Sequence, residues 1–467
     1  MTFSRRLLQR IGVDRTVGYA LVARGWTAVS GLLGLAVLTR FLSPAEQGYY
    51  YTFNSVLGFT LLLEMGLTYV ILQVASHERA GLEWTAGGVL EGDPVAKARL
   101  ASLLRLSLLW YGCLAVLMVG IVLPTGLLFF SRHTPIGAHL IWQWPWAGVV
   151  IASAGILALS PILALIEGLG RVAAVTQTQM FQSLAGSLVF WLALFLHCGL
   201  FAAAIFNAAI LLFQAVWLWR RQGPFLRDLL RAARPGVRIG WRDEIWPFQW
   251  KIAVSSISGL FVFLFNPLML AAHGAAQAGR LGLSLTVMGA ITLIGLSWVT
   301  TKSAPFGTLI ARGDWRELDR RFFPCLWQSW AVVALGGTAF WTAAFVLHQL
   351  HHRLAGRMLA PLPLALLVGT ALINHVISSQ ALYLRAHKQD PFLPLSLTVG
   401  ALVALSSVLV VRPYGATGLM LGYFLVYLLV GLGGGTWLFV RARRRWHRDS
   451  PPVPRPPAPL AATGAGR

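Results

Sequence analysis

The sequence predicts an all-α polytopic membrane protein of about twelve transmembrane helices, and three observations carry that prediction. The 467 residues are 57% hydrophobic and only 12% charged, with a mean hydropathy of +0.67, too apolar for a soluble globular chain. Apolar stretches of about 20 residues, the length a helix needs to cross a bilayer, recur along the chain with short polar connections. Finally, the 38 Lys and Arg residues gather mainly between these stretches. The net charge of +22 therefore reads as membrane topology, and no nucleic-acid partner is expected.

In order, the spans are expected near residues 17–42, 48–74, 103–130, 145–169, 174–197, 199–219, 247–272, 279–302, 324–348, 358–384, 391–411 and 415–440. Only His197, Cys198 and Gly199 separate the fifth from the sixth, so eleven spans is the competing count. The basic N-terminal segment 1–16 runs into a full-length span without a small-residue cleavage site, so no cleaved signal is expected. With both termini cytoplasmic, about 30 basic residues fall inside and about 6 outside, an asymmetry that a wrong span count would scramble. Trp142, Trp144 and Trp146 precede the fourth span on the outside, where indole rings favour the headgroup layer. The tail 441–467 is basic, then from Asp449 rich in Pro and Ala, and this last part is expected to be disordered.

The longest basic internal stretch, within 220–246, divides the spans six and six, giving bundles at 17–219 and 247–440. Both halves open with a basic residue, then Ser-Gly-Leu, an apolar run and a Gly-bounded turn: "SPAEQG" in one, "HGAAQAG" in the other. That is the pattern of two parallel repeats about an axis along the membrane normal. Cys113, Cys198 and Cys325 lie in or beside apolar runs without metal-ligand spacing and read as packing residues. His348, His351 and His352 share a helix face beside Arg353 and read as an interfacial cluster; neither metal nor cofactor is expected. No nucleophile with a base, Gly-rich phosphate loop or paired catalytic carboxylates is apparent, so an enzyme is not expected.

The first helix with its embedded Arg24, the following "LTRFLSPAEQGYYYTFNSVLGF", and the stretch "SHERAGLEWTAGGVLEGDPVAKARLASLLRLSLLWYG" carry a family likeness. They resemble polysaccharide flippases of the multidrug/oligosaccharidyl-lipid/polysaccharide exporter superfamily. The resemblance implies two six-helix bundles around a central cavity in the bacterial inner membrane. It also implies alternating access that moves a polyprenyl-(pyro)phosphate-linked oligosaccharide for O-antigen, capsule or exopolysaccharide synthesis. The implied partners are the lipid bilayer, that glycan, and a polysaccharide polymerase or other assembly proteins. A proton- or sodium-coupled drug or metabolite exporter, or a lipid II flippase, is the alternative on the same fold.

Ionisable residues inside spans are costly and mark candidate function. Arg24 and Lys251 lie one to two turns from the inner end of the first helix of each half, where they face a lipid phosphate or snorkel to the interface. Glu64, near the middle of the second span, is expected either to pair with Arg24 or to couple protons. Glu167 is expected to form an i,i+4 ion pair with Arg171, or to serve coupling. Asn266 and Pro267 break the helix of the seventh span, for ligand contact or gating, and His375 lies in the tenth.

Overall fold

The structure, a computed structural model, describes Trp26, Ser30, Gly31, Glu64 and residues 33–60, 66–85, 87–135, 140–232, 237, 239–247, 249–250, 253, 260–387 and 391–449. The N-terminal segment and most of the Pro/Ala-rich tail lie outside the described residues.

The chain is an all-α polytopic membrane protein. Among the described residues, eight helices are long and apolar enough to cross a membrane. One of them, Leu393–His447, carries the eleventh and twelfth expected spans in a single run. The run turns at Gly415, whose φ of 56° and ψ of −141° are non-helical. Three expected spans remain: the first, described over 33–41 (α1); the second, which is broken; and the seventh, whose apolar helix Phe261–His273 is shorter. The fifth and sixth are separate helices, because His197 and Gly199 both take positive φ and reverse the chain within the short connection.

α2 (Pro44–Gly58) starts on a capping box. Ser43 Oγ accepts from the Glu46 N–H at 3.2 Å and Glu46 returns the bond at 2.8 Å, with Pro44 in the first turn. The "SPAEQG" turn of the sequence is thus a helix start. α3 (Leu67–Glu78) leads to a two-stranded antiparallel hairpin, β1 (Leu82–Trp84) and β2 (Leu90–Gly92), in register Glu83 to Glu91. Asp93 then caps α4 (Pro94–Leu117), accepting from the Val95 and Ala96 N–H groups. A π turn joins α4 to α5 (Leu123–His133). α6 (Gln143–Gly168), α7 (Val172–Phe195) and α8 (Phe201–Trp217) follow, with α9 (Gly223–Arg231) beyond a second π turn.

In the second half, α10 (Phe265–His273) turns through Gly274 into α11 (Ala275–Thr300). α12 (Ser303–Ala311), α13 (Trp315–Gln349) and α14 (Pro361–Ala386) come next. α15 (Leu393–Val426) and α16 (Gly433–Asp449) complete it.

The stretch after α8 is docked, not free. Phe225, Leu229, Ile239 and Ile245 are buried in the same apolar cluster as α3, α4 and α6. Lys97 meets Asp228 at 2.8 Å, and Arg99 bridges Glu78 at 2.7 Å and Glu244 at 2.6 Å. The Gly240 N–H, and then Arg99 beside it, hold the Glu244 carboxyl below the ordinary carboxylate range. At the corresponding end of the second half, Asp319 is gripped by Arg443 through two bonds and accepts from Tyr383 Oη at 3.0 Å.

Candidate functional site

The halves join along α2 and α11. Their backbones cross at glycine: a Cβ on Gly48 would fall 1.8 Å from the Ala275 carbonyl oxygen, and one on Gly279 would lie 2.9 Å from the Gly48 nitrogen. Only small residues allow helices to approach so closely. Beside this crossing, the Gln47 amide donates to the Gly279 carbonyl at 2.8 Å and to the Arg357 carbonyl at 3.0 Å. Tyr49 Oη and Thr134 Oγ1 are 2.6 Å apart, which places the crossing at the same end as the α5 terminus, away from the docked basic end.

Further along the seam, two irregular segments meet. The sequence predicts one continuous second span, but α2 stops at Gly58 and α3 restarts at Leu67 behind Gly66, whose φ is 67°. A left-handed residue excludes an unbroken α-helix here, although the surrounding residues are mostly apolar. Across the seam, α10 is entered through a 3-10 turn, Leu260–Leu264. Pro267 accounts for that placement: it lacks an N–H and is tolerated in the first turn of a helix beginning at Phe265, not deeper. Phe59 and Phe263 face each other with centroids 6.2 Å apart, and a Cβ on Gly58 would fall 2.5 Å from the Phe263 ring.

Asn266 lies in this seam. Its Nδ2 donates to Ser55 Oγ at 2.8 Å, while its buried Oδ1 has no partner among the described residues. A buried acceptor left open costs about 1–3 kcal/mol, and such atoms are commonly completed by a water, ion or ligand. Interrupted transmembrane helices recur at transporter binding sites for the same reason, since the freed backbone groups find partners there.

Glu64, itself helical, lies between the end of α2 and the left-handed Gly66. Tyr111 Oη donates to Glu64 Oε1 at 2.9 Å, and Thr68 Oγ1 is 2.7 Å from Tyr111 Oη. A phenol has one proton, so Thr68 must donate to Tyr111, and both hydroxyls direct their donors toward the carboxylate. No described basic side chain pairs with Glu64. Its expected partner Arg24, and Lys251 with it, lie outside the described residues.

His375 is fully buried in α14. Its Nε2 is 2.8 Å from Ser329 Oγ, which also bonds the Leu326 carbonyl, and its Nδ1 has no described partner. The site is compressed: a Cβ on Gly295 would lie 3.4 Å from His375 Cε1 and 2.3 Å from Val333.

The Glu167–Arg171 ion pair is corrected. Gly170 takes φ 86°, so α6 ends at Gly168 and Arg171 is not one helical turn beyond Glu167. Arg171 instead lies 3.6 Å over the Trp84 ring of the hairpin and reaches Gln222 Oε1 at 3.4 Å. Reading the sequence missed Ser55, Tyr111 and Ser329, polar residues of ordinary kind inside spans. The glycines of "SPAEQG" and "HGAAQAG", Gly48 and Gly279, signalled the close crossing.

The chain matches no family model, and no curated protein matches its sequence. Solved structures do match over most of its length. The inward-facing conformation of a multidrug resistance MATE family transporter of the MOP superfamily aligns with TM-score 0.54 at 14% identity, covering 91% of this chain and 100% of that one. The lipid II flippase MurJ, in an inward closed conformation, aligns with TM-score 0.57 at 10% identity, covering 92% and 87%. The MATE multidrug transporter DinF-BH in complex with R6G aligns with TM-score 0.54 at 15% identity, covering 92% and 96%. The fold is therefore that of MOP-superfamily transporters, as the resemblance in the first helices implies.

Proposed function

We propose that the chain is a multi-pass transporter of the bacterial inner membrane that flips a polyprenyl-(pyro)phosphate-linked oligosaccharide by alternating access. In this reading, bundles 17–219 and 247–440 rock about the seam, and both termini are cytoplasmic. The observation that carries it is the seam's position: the halves lock at Gln47, Gly48 and Gly279, away from the end where the basic segments gather. An anionic headgroup would enter from that basic end, with Arg24 and Lys251 as its phosphate ligands and Asn266 as a neutral contact. Glu64, Glu167, Pro267 and His375 are assigned to coupling or gating.

One observation favours a second reading. The carboxylate of Glu64, served by two hydroxyls and by no described cation, suits a proton- or sodium-coupled exporter of drugs or metabolites. A lipid II flippase shares the fold as well.

Depletion of the protein followed by analysis of lipid-linked glycans separates these readings. The flippase predicts a glycan precursor accumulating on the inner leaflet, and Arg24→Ala reproducing that accumulation at normal protein level. Unchanged precursors with lost dye efflux identify the exporter. Accumulation of lipid II alone identifies the third.

A further inference from the structure

We infer that each half ends in a lateral site for an anionic phospholipid of the leaflet on the basic side, built from the last helix of that half. The larger site is a groove of about 1130 Å³ lined by Leu428, Leu432, Trp437, Arg441, Arg444 and Arg445, among others. The smaller, about 440 Å³, is lined by Leu212, Phe213, Val216, Trp217, Arg220 and Arg221. Both follow one plan: an apolar wall, then a tryptophan, then guanidinium groups within the next two turns.

The residues in each groove are disposed to meet lipid. Trp437 is 58% exposed and Leu212 68%, surfaces that would be buried if another helix covered them. Arg441 lies over the Trp437 ring, 5.1 Å from its centroid, a cation–π contact that holds the guanidinium beside the indole. The rotation of α16 is fixed, because Arg443 turns inward to Asp319 while Arg441 and Arg444, three residues apart, share the outward face. No acidic residue lines either groove, and Arg220, Arg221, Arg441 and Arg444 have no described carboxylate partner.

That composition selects the ligand. Clustered guanidiniums bind phosphate oxygens in bidentate forks, and the apolar wall takes an acyl chain. A zwitterionic lipid would bring its own cation against the arginines with no carboxylate to receive it. Phosphatidylglycerol has no such cation. The recurrence of the plan in two halves with unrelated local sequences, "FQAVWLWRRQ" and "GTWLFVRARRR", is the independent support.

The test is native mass spectrometry of the full chain, titrated with phosphatidylglycerol and phosphatidylcholine of matched acyl chains. Two sites should prefer phosphatidylglycerol, each by about thirtyfold, given the contribution of a pair of arginines beside an anionic headgroup. R441Q/R444Q should abolish the preference at one site and R220Q/R221Q at the other, while R40Q/R132Q at the opposite end leaves both intact. R441K/R444K, which keeps the charge, should fold as the wild type and retain most of the preference. Equal binding of the two lipids by the wild type, or an undiminished preference in both Gln variants, overturns the proposal. Displacement of phosphatidylglycerol by undecaprenyl phosphate at equal mole fraction also overturns it, by giving the groove to the cargo.

Discussion

Glu64 in the first half and His375 in the second are both ionisable groups among apolar helices, yet their surroundings differ in kind. Glu64 is half-buried two residues before the left-handed Gly66 and ends a chain of two hydroxyls. His375 is sealed at a tight crossing, with one ring nitrogen bonded and the other orphaned. A group that exchanges protons or ligand needs a polar path; among the described residues Glu64 has one through Tyr111 and Thr68, and the His375 ring bonds Ser329 alone. In its gating assignment the histidine would act through packing at this crossing, not through proton exchange.

The largest expected effect comes from forcing the halves apart at their common crossing. Gly48→Leu should lower stability by about 1–3 kcal/mol through overpacking, and lower transport more than tenfold by opening the locked end. Normal flux with an unchanged unfolding midpoint in detergent would remove the crossing from the mechanism. Next comes the sealed site. Ser329→Ala should cost about 1–3 kcal/mol, because it strands His375 Nε2 as well as Nδ1, and adding His375→Leu should recover most of that loss. A double variant no more stable than Ser329→Ala would show that the imidazole has another role.

Tyr111→Phe tests the other side of the comparison. It should cost about 1 kcal/mol or slightly more by removing the donor to Glu64, while changing the pH dependence of transport, which Ser329→Ala leaves alone. Identical pH profiles for the two variants would erase the distinction between the halves.

The smallest effect belongs to the docked linker. Because Glu244 has its carboxyl pKa depressed in the folded state, its stabilisation is complete above the ordinary carboxylate value and is lost as pH falls through the lower folded value. Proteolysis between α9 and residue 239 should therefore accelerate only in acid, and Glu244→Gln should make cutting insensitive to that change.

Most of the fold was legible because span length and hydropathy are set by the bilayer, and each expected stretch contains helix, although α9 and α12 lie between stretches and α4, α13 and α16 run past their ends. The breaks were not. "LGFTLLLEMGLTY" is as apolar as a continuous span, and nothing in it separates Gly66, which turns left-handed, from Gly58, which stays helical. The Glu167–Arg171 spacing satisfied the helical rule on paper, and one glycine at positive φ cancelled it. Asn266 and Pro267 were visible as helix breakers, whereas Ser55 was not, since its importance comes from a residue more than two hundred positions away. The docking of 223–245 depends on burial that charge counting hides.

That docking also bears on how the halves remain associated. If residues up to Ile245 move with the first half, little of the basic stretch is left to act as a tether between the halves. A short tether raises the effective concentration of each half for the other, so a separated seam re-forms as an intramolecular event. The locked and unlocked states then differ by a small free-energy gap that a cargo can tip, instead of by the cost of bringing two free bundles together.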